Sequence, residues 1–343
     1  MQTVPHAAPL AWHGGQLAAA ARLYPDASLP WLDLSTGIAP WAYPLDDIPD
    51  KLWQRLPEQD ELAALEAAAA ACFGVSGADQ VAAVPGSDLA IRLLAQALPE
   101  TKAAIVGHGV GHGVGHGVGH GVGQSFSGYR AAWPGAQVLP FEQAAKMPLL
   151  ICANPNNPDG AVIERRKLQR LRNLRIVDEA FADASPEHSL LPHRNHAIVL
   201  RSFGKFFGLA GVRLGFVVAD KPFITAFRAQ LGDWPLSGPA IAIGTRAYRD
   251  LAWQEQQRHR LQTASKLLAA LLAAQGLDDL GGTAHFRLCG TANAAGLFDH
   301  LCRQGILVRP FADRPEALRI GLPGTVEDWD RLETALKTWS KRL

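Results

Sequence analysis

The stretch Ser202-Phe203-Gly204-Lys205-Phe206-Phe207-Gly208-Leu209-Ala210-Gly211-Val212-Arg213-Leu214-Gly215 sets a single lysine among glycines and apolar residues. Desolvation in such surroundings lowers a lysine's pKa and frees its amine to form a Schiff base. The glycines let backbone approach a flat ligand closely, while Ser202 and Arg213 offer a hydroxyl and a guanidinium suited to a phosphate. Taken alone, the stretch is better explained by a lysine snorkelling from a Gly-rich loop. Two motifs upstream reverse that balance.

Asn154-Pro155-Asn156-Asn157-Pro158-Asp159-Gly160 follows directly on the apolar run Leu149 to Ala153, which places amide side chains at the carboxyl end of a strand. Ile176-Val177-Asp178-Glu179-Ala180-Phe181 puts a carboxylate at the end of the next strand, where it can pair with a protonated ring nitrogen. Each is individually an ordinary β-turn or helix N-cap. In this order, ahead of Lys205, they describe one site, because ligands of parallel sheets bind at the carboxyl edge.

Working outward, short apolar bursts at Val81 to Val84, Ala103 to Val106, Ile198 to Leu200 and Gly215 to Val218 alternate with helical or loop stretches. That alternation predicts an α/β domain with a mostly parallel central sheet flanked by helices. A helix is expected over Glu61 to Phe73, stopped by Gly74, and another from Leu89 to Leu98 with Ser87 or Asp88 as its cap. Beyond Trp234-Pro235 the style changes to one long helix, Ala240 to Gln275, and then to strands near Phe286 to Leu288, Ile306 to Val308 and Leu318 to Ile320. The expected organisation is an arm over 1–45 contributing to the small domain, a large ligand-binding domain over 46–235 and a smaller α+β domain over 236–343.

Composition limits the function. Lys+Arg 33 against Asp+Glu 32 leave a net charge of +1, which removes long-range attraction to nucleic acid or a membrane surface. No apolar run approaches the roughly 18 residues that span a bilayer, and the first residues lack a signal-peptide pattern, so a cytoplasmic protein is expected. Cys72, Cys152, Cys289 and Cys302 have no spacing that implies disulfides or zinc.

The order GSD, NNPxG, DEAF and SxxKxxxxxGxR, from about Pro30 to Leu322, resembles the pyridoxal 5′-phosphate enzymes of the aspartate aminotransferase fold, fold type I. The resemblance implies Lys205 as the cofactor's Schiff-base lysine, Asp178 on the pyridine nitrogen and Asn157 on the phenolic oxygen. It also implies Phe126 stacked on the ring, and Gly86, Ser87, Asp88, Ser202 and Arg213 around the phosphate. Phe181 stands where many relatives carry a tyrosine. The opening His13-Gly14-Gly15, Trp31 to Ile38, and the ending Arg309-Pro310 with Leu318-Arg319-Ile320-Gly321 are similar to the threonine-phosphate decarboxylases of cobalamin synthesis. That likeness implies a phosphorylated amino acid as substrate, Arg319 and Arg309 on its carboxylate, His13, Gly14 and Gly15 on its phosphate, a homodimer, and other cobalamin-pathway enzymes as partners. The alternatives are an aminotransferase of the histidinol-phosphate type and a non-catalytic subunit of cobinamide assembly. Ala39 departs from the relatives' S-x-x-I-N-P pattern, and Leu56 lies near where some carry a tyrosine that reaches the neighbouring subunit's cofactor.

Gly107 to Val122 are four copies of Gly-His-Gly-Val. Histidines four apart line one face of a helix, but glycine at every second position costs about 0.8 to 1 kcal/mol per residue against alanine. A flexible insertion with no metal site is the expectation.

Overall fold

Runs of four or five residues that are buried along their whole length have no polar face to offer solvent, and they lie inside a sheet covered on both sides. In the computed structural model, which describes residues 10, 13–45, 48–98, 102–109, 122–123 and 125–340, seven strands, four of them such segments, form one sheet. They are β1 (Val81–Val84), β2 (Ala103–Val106), β3 (Gln137–Leu139), β4 (Leu149–Ala153), β5 (Leu174–Asp178), β6 (Ile198–Ser202) and β7 (Gly215–Val218). Their spatial order is β1-β7-β6-β5-β4-β2-β3. β7 runs antiparallel to both neighbours, and the pairs β6-β5, β5-β4, β4-β2 and β2-β3 are parallel. This sheet and its helices make up the larger unit, Trp41–Asn157 with Ala161–His259.

Helix α1 (Gln59–Phe73) ends at Gly74, whose φ of 68° closes it in the left-handed conformation. α2 (Ser87–Ala97) begins two residues earlier than the sequence indicated, with Gly86 as its N-cap. Ser87 and Asp88 therefore occupy the first turn and cap nothing, and the Asp88 carboxylate accepts from Arg92 at 3.2 Å. The single long helix expected over 240–275 is two, α4 (Gly238–Arg249) and α5 (Leu251–Ala274), α3 being Ser127–Ala132. The break is Asp250, whose ψ of 75° leaves the helix and whose carboxylate accepts from Trp253 N at 3.0 Å to start the next.

The unit limits fall at 40/41 and 259/260, not at the expected 45/46 and 235/236. α4 belongs to the larger unit because it packs on α1. A Cβ on Gly244 would come 2.8 Å from Leu65 and 2.5 Å from Leu214, so the glycine is what allows that approach.

The smaller unit comprises the chain up to Pro40, Pro158–Gly160 and the chain from Arg260. Its sheet is antiparallel, in the order β8 (Asp278–Thr283), β9 (Phe286–Gly290), β11 (Ala317–Gly321), β10 (Arg309–Pro310). Ile306–Leu307, within the strand expected over Ile306 to Val308, lies outside this sheet and pairs in parallel with Leu32–Asp33 of the arm. Arg331 holds that junction, its guanidinium donating to the carbonyls of Ser28, Pro30, Gln304 and Gly305.

The repeat begins and ends in a short antiparallel pairing, His108 with Gly123 and Gly109 with Val122. Residues 110–121, on which the expectation of a flexible insertion without metal mainly falls, lie outside the described residues. Among the described residues no helix is long and apolar enough to cross a membrane.

Candidate active site

The register of the large sheet brings the expected residues to one edge. Gly215 opposes Val84 on one side and Ser202 on the other, Ala153 opposes Asp178, and Asp178 opposes Leu200. The carboxyl ends of β1, β4, β5 and β6 therefore lie side by side, and the segments leaving them line one cavity. Gly86, Ser87, Asp88, Phe126, Asn157, Asp178, Phe181, Ser202, Lys205 and Arg213 all face it, as does Tyr129.

One end of the cavity is built for an anion. α2 starts there with no side-chain cap on its first amides, which leaves N–H groups and the positive end of the helix dipole for a ligand. Gly215 permits β7 to approach, since a Cβ there would lie 2.7 Å from Ser87 N. Arg213, left-handed at φ 54°, brings its guanidinium over Gly86, where a Cβ would sit 2.7 Å from Nη2. Gly86 itself has φ 86°.

The other end carries the carboxylate and the lysine. Asp178 is 5 % exposed; Oδ1 accepts from Ala180 N at 3.0 Å and Oδ2 from the Tyr129 hydroxyl at 2.7 Å. Burial pushes its carboxyl above the usual range, with the Tyr129 and Ala180 hydrogen bonds and Lys205 opposing. Lys205 lies in a four-residue helix, Phe203–Phe206, directly after β6. Phe203, Phe206 and Phe207 are buried, and the stacking of Phe207 on Phe203 (4.4 Å) and on Trp253 (5.6 Å) fixes the turn so that Lys205 faces the cavity. Its ammonium lies 5.9 Å from the Phe181 ring centroid, a cation–π contact made where a tyrosine would have presented a hydroxyl.

Several supporting residues went unassigned in the sequence. Tyr129 has no role assigned from the sequence; its ring meets Phe126 edge-on at 5.5 Å. Asn154 Oδ1 accepts from Ile163 N at 2.8 Å and its amide donates to Ile163 O and His188 O, which braces the loop carrying Asn157. On the reverse face of the sheet, Arg201 Nη1 donates to Glu179 Oε2 at 2.9 Å and Nη2 pairs with Asp183. The available signal was position, because Glu179 follows Asp178 and Arg201 precedes Ser202 in otherwise apolar strand ends.

The remaining expected residues belong to the smaller unit. Arg309 and Arg319 are neither solvated nor remote from each other; they are direct cross-strand partners, and Arg319 is 4 % exposed. Burial, and then Arg309, push the Arg319 guanidinium down to about 9, with Asp33 opposing. It lies over the Phe286 ring at 4.6 Å and donates to Ser35 O at 2.7 Å. His13 is exposed. The Gly15 N–H, expected to meet a substrate phosphate, donates instead to Ser35 Oγ at 2.8 Å. Like charges directly opposite one another repel, and two adjoining guanidiniums offer a geometry that a carboxylate can bridge.

Such a cavity fits pyridoxal 5′-phosphate: an anion cradle, a buried carboxylate for a protonated ring nitrogen, an aromatic wall and an amine on one surface. The family model for aminotransferase class I and II matches residues 50–336. The chain is 42% identical over 334 residues to the threonine-phosphate decarboxylase of Pseudomonas aeruginosa, covering 94% of this chain and 96% of that protein. It is 37% identical to the threonine-phosphate decarboxylase of a Sinorhizobium species, covering 94% and 97%. Among solved structures, histidinol-phosphate aminotransferase from Sinorhizobium meliloti, in complex with pyridoxal 5′-phosphate, superposes with a TM-score of 0.79 at 17% identity over 99% of this chain and 98% of that one.

Proposed function

The chain belongs to the aminotransferase class I and II family, and from that premise we propose that it is a pyridoxal 5′-phosphate-dependent decarboxylase acting on L-threonine O-3-phosphate, releasing CO₂ and 1-aminopropan-2-ol phosphate. The observation that carries this reading is the convergence of Lys205, Asp178, Asn157 and the α2 N-terminus on one cavity. The choice of decarboxylation over transamination rests on the two relatives of that name, which align along nearly the whole chain.

Lys205 Nζ is the amine that holds the cofactor, with Asp178 at the ring nitrogen, Asn157 at the phenolic oxygen and Phe126 against the ring face. Gly86, Ser87, Ser202 and Arg213 hold the phosphate. When bound, the cofactor supplies an electron-accepting ring that stabilises the charge left on the substrate α-carbon as CO₂ departs. Arg319, with Arg309, would hold the substrate carboxylate and so orient the bond that breaks. Lys205 Nζ would supply the proton that the α-carbon takes up. His13 meets the substrate phosphate.

Trp53, Leu56 and Trp234 are 66, 60 and 56% exposed. Gln59 Nε2 donates to Asp233 O at 3.0 Å, so these apolar groups sit on adjoining segments, and they support a homodimer. Incubation with threonine phosphate, measuring CO₂ and keto acid in parallel, tests the function. CO₂ without keto acid is the expected result; keto acid without CO₂ would make the protein an aminotransferase.

A further inference from the structure

Ser35 is 2 % exposed, and its three polar groups are all bonded inside the smaller unit. Its N–H donates to Asp33 Oδ1 at 2.9 Å, and its hydroxyl donates to the same oxygen at 2.6 Å. That hydroxyl also accepts from Gly15 N at 2.8 Å, twenty residues back in the chain. Its carbonyl accepts from Arg319 Nη2 at 2.7 Å, 284 residues ahead. Gly14 lies so close that a Cβ there would collide with the Ser35 carbonyl, and Gly321 N, at the end of β11, fixes the preceding residue by donating to Leu34 O at 2.7 Å.

Resting on the decarboxylase reading above, we propose that Ser35 is a positioning residue that joins the arm His13-Gly14-Gly15 to Arg319 and so sets the spacing between the groups that receive the two anions of the substrate. The physical argument is rigidity. Two hydrogen bonds from one buried residue run to the two recognition elements, and a third partner, Asp33, fixes the hydroxyl that would otherwise rotate. The arm cannot shift toward Ser35 without pushing the carbonyl that orients Arg319. A substrate whose carboxylate and phosphate are separated as in threonine phosphate then meets both anchors together, whereas a shorter or longer phosphorylated amino acid meets only one.

Because the two links leave Ser35 through different atoms, they are separable. Ser35→Ala removes the hydroxyl link to the arm and leaves the carbonyl on Arg319, so it should raise KM for threonine phosphate about tenfold with a much smaller change in kcat. Gly14→Ala presses on the carbonyl from the arm side. It should lower kcat/KM for unphosphorylated threonine as well, although the arm has no phosphate to bind there, and Arg319 should carry that effect. Thermal unfolding of each apo variant accompanies the kinetics. The inference is overturned if Gly14→Ala acts on the phosphorylated substrate alone, or if Ser35→Ala depresses kcat and KM effects equally for both substrates. Wild-type enzyme that turns over no threonine phosphate at all would instead remove the reading beneath it, and the two failures are told apart by that control.

Discussion

The hydroxyl of Tyr129 donates to Asp178 Oδ2 at 2.7 Å while the ring of the same residue meets Phe126 edge-on at 5.5 Å. One fully buried side chain thus orients both the carboxylate assigned to the cofactor nitrogen and the aromatic assigned to its face. The i, i+3 spacing across the start of α3 is what permits this, since Phe126 is the N-cap and Tyr129 lies one turn in. Tyr129→Phe keeps the ring and deletes the donor. Hydrogen bonds to charged groups contribute about 1.5–3 kcal/mol. The variant should therefore bind cofactor roughly ten- to a hundredfold more weakly while keeping the wild-type fold, measured by equilibrium dialysis of the apo protein. In an Asp178→Asn background the same change should have much less effect.

The raised pKa of Asp178 gives a pH dependence with a definite sign. In the unfolded chain this carboxyl ionises at its ordinary pKa; in the folded apo protein burial keeps it protonated to higher pH. Between those two values the folded state holds more protons, so the stability of the apo protein falls as pH rises through that window. Thermal melts of apo wild type should show this decline above the usual carboxylate range. Asp178→Asn should flatten it. A decline of equal size in the variant would assign it to other groups.

Much of the large unit was legible because four of its strands, β1, β2, β4 and β7, are short, apolar and buried along their whole length, and they begin and end where the apolar runs do. The candidate site residues could be named for a related reason: Asp178 and Ser202 close strands, and Lys205 and Ser87 lie in the first turn of helices that follow strands, in a composition that packing alone does not explain. What escaped reading was set by contacts distant in sequence. Nothing local distinguishes Asp250 as a helix break, or Ile306–Leu307 as a partner of the arm and not of the small sheet. Nor does sequence show that the Gly15 N–H is already committed to Ser35. Arg309 and Arg319 are named from the resemblance as carboxylate partners, but that they are direct cross-strand neighbours follows only from the register of β10 on β11.

Gly86→Ala should act on the anion cradle. The residue sits at φ 86°, and a Cβ would lie 2.7 Å from Arg213 Nη2. With ψ 147° this is a backbone region essentially reserved for glycine, and an L-residue held there costs about 1–3 kcal/mol. Arg213 is exposed and swings away. The expected result is cofactor affinity reduced about tenfold or more, a loss typical of one charge-assisted contact, together with a modest drop in the Tm of the apo protein. Arg213→Ala should reproduce the affinity loss without the drop in Tm.

Removing the two central copies of the repeat, Gly111 to Val118, leaves His108, Gly109, Val122 and Gly123, which pair across its ends. Shortening the connection between Gly109 and Val122 threefold changes its closure entropy by only about 1 kcal/mol. The shortened protein should therefore fold with nearly the wild-type Tm and bind cofactor with wild-type affinity, both measurable on purified protein. Loss of cofactor binding on deletion would show that the repeat contributes to the cavity.

The pair Arg309 and Arg319 makes the most direct connection between stability and recognition. The two are cross-strand neighbours, Arg319 is 4 % exposed, and Arg309 adds to the effect of burial in lowering its proton affinity. The two guanidiniums repel across the strand pair, and a bound carboxylate would have both as cationic partners. Arg309→Gln removes one of the two charges and keeps a polar side chain. The apo protein should melt a few degrees higher, since about 1 kcal/mol of relieved repulsion corresponds to roughly 2–4 °C in a domain of 150–250 residues. KM should rise about tenfold for phosphorylated and unphosphorylated substrate alike, because both carry the carboxylate, consistent with about 1.5–3 kcal/mol for a charge-assisted contact. Added salt should stabilise wild-type apo protein more than the variant, since ions screen a repulsion the variant lacks. A variant that melts lower and keeps its KM would mean that the two guanidiniums are held for packing alone, and the carboxylate would then need another anchor.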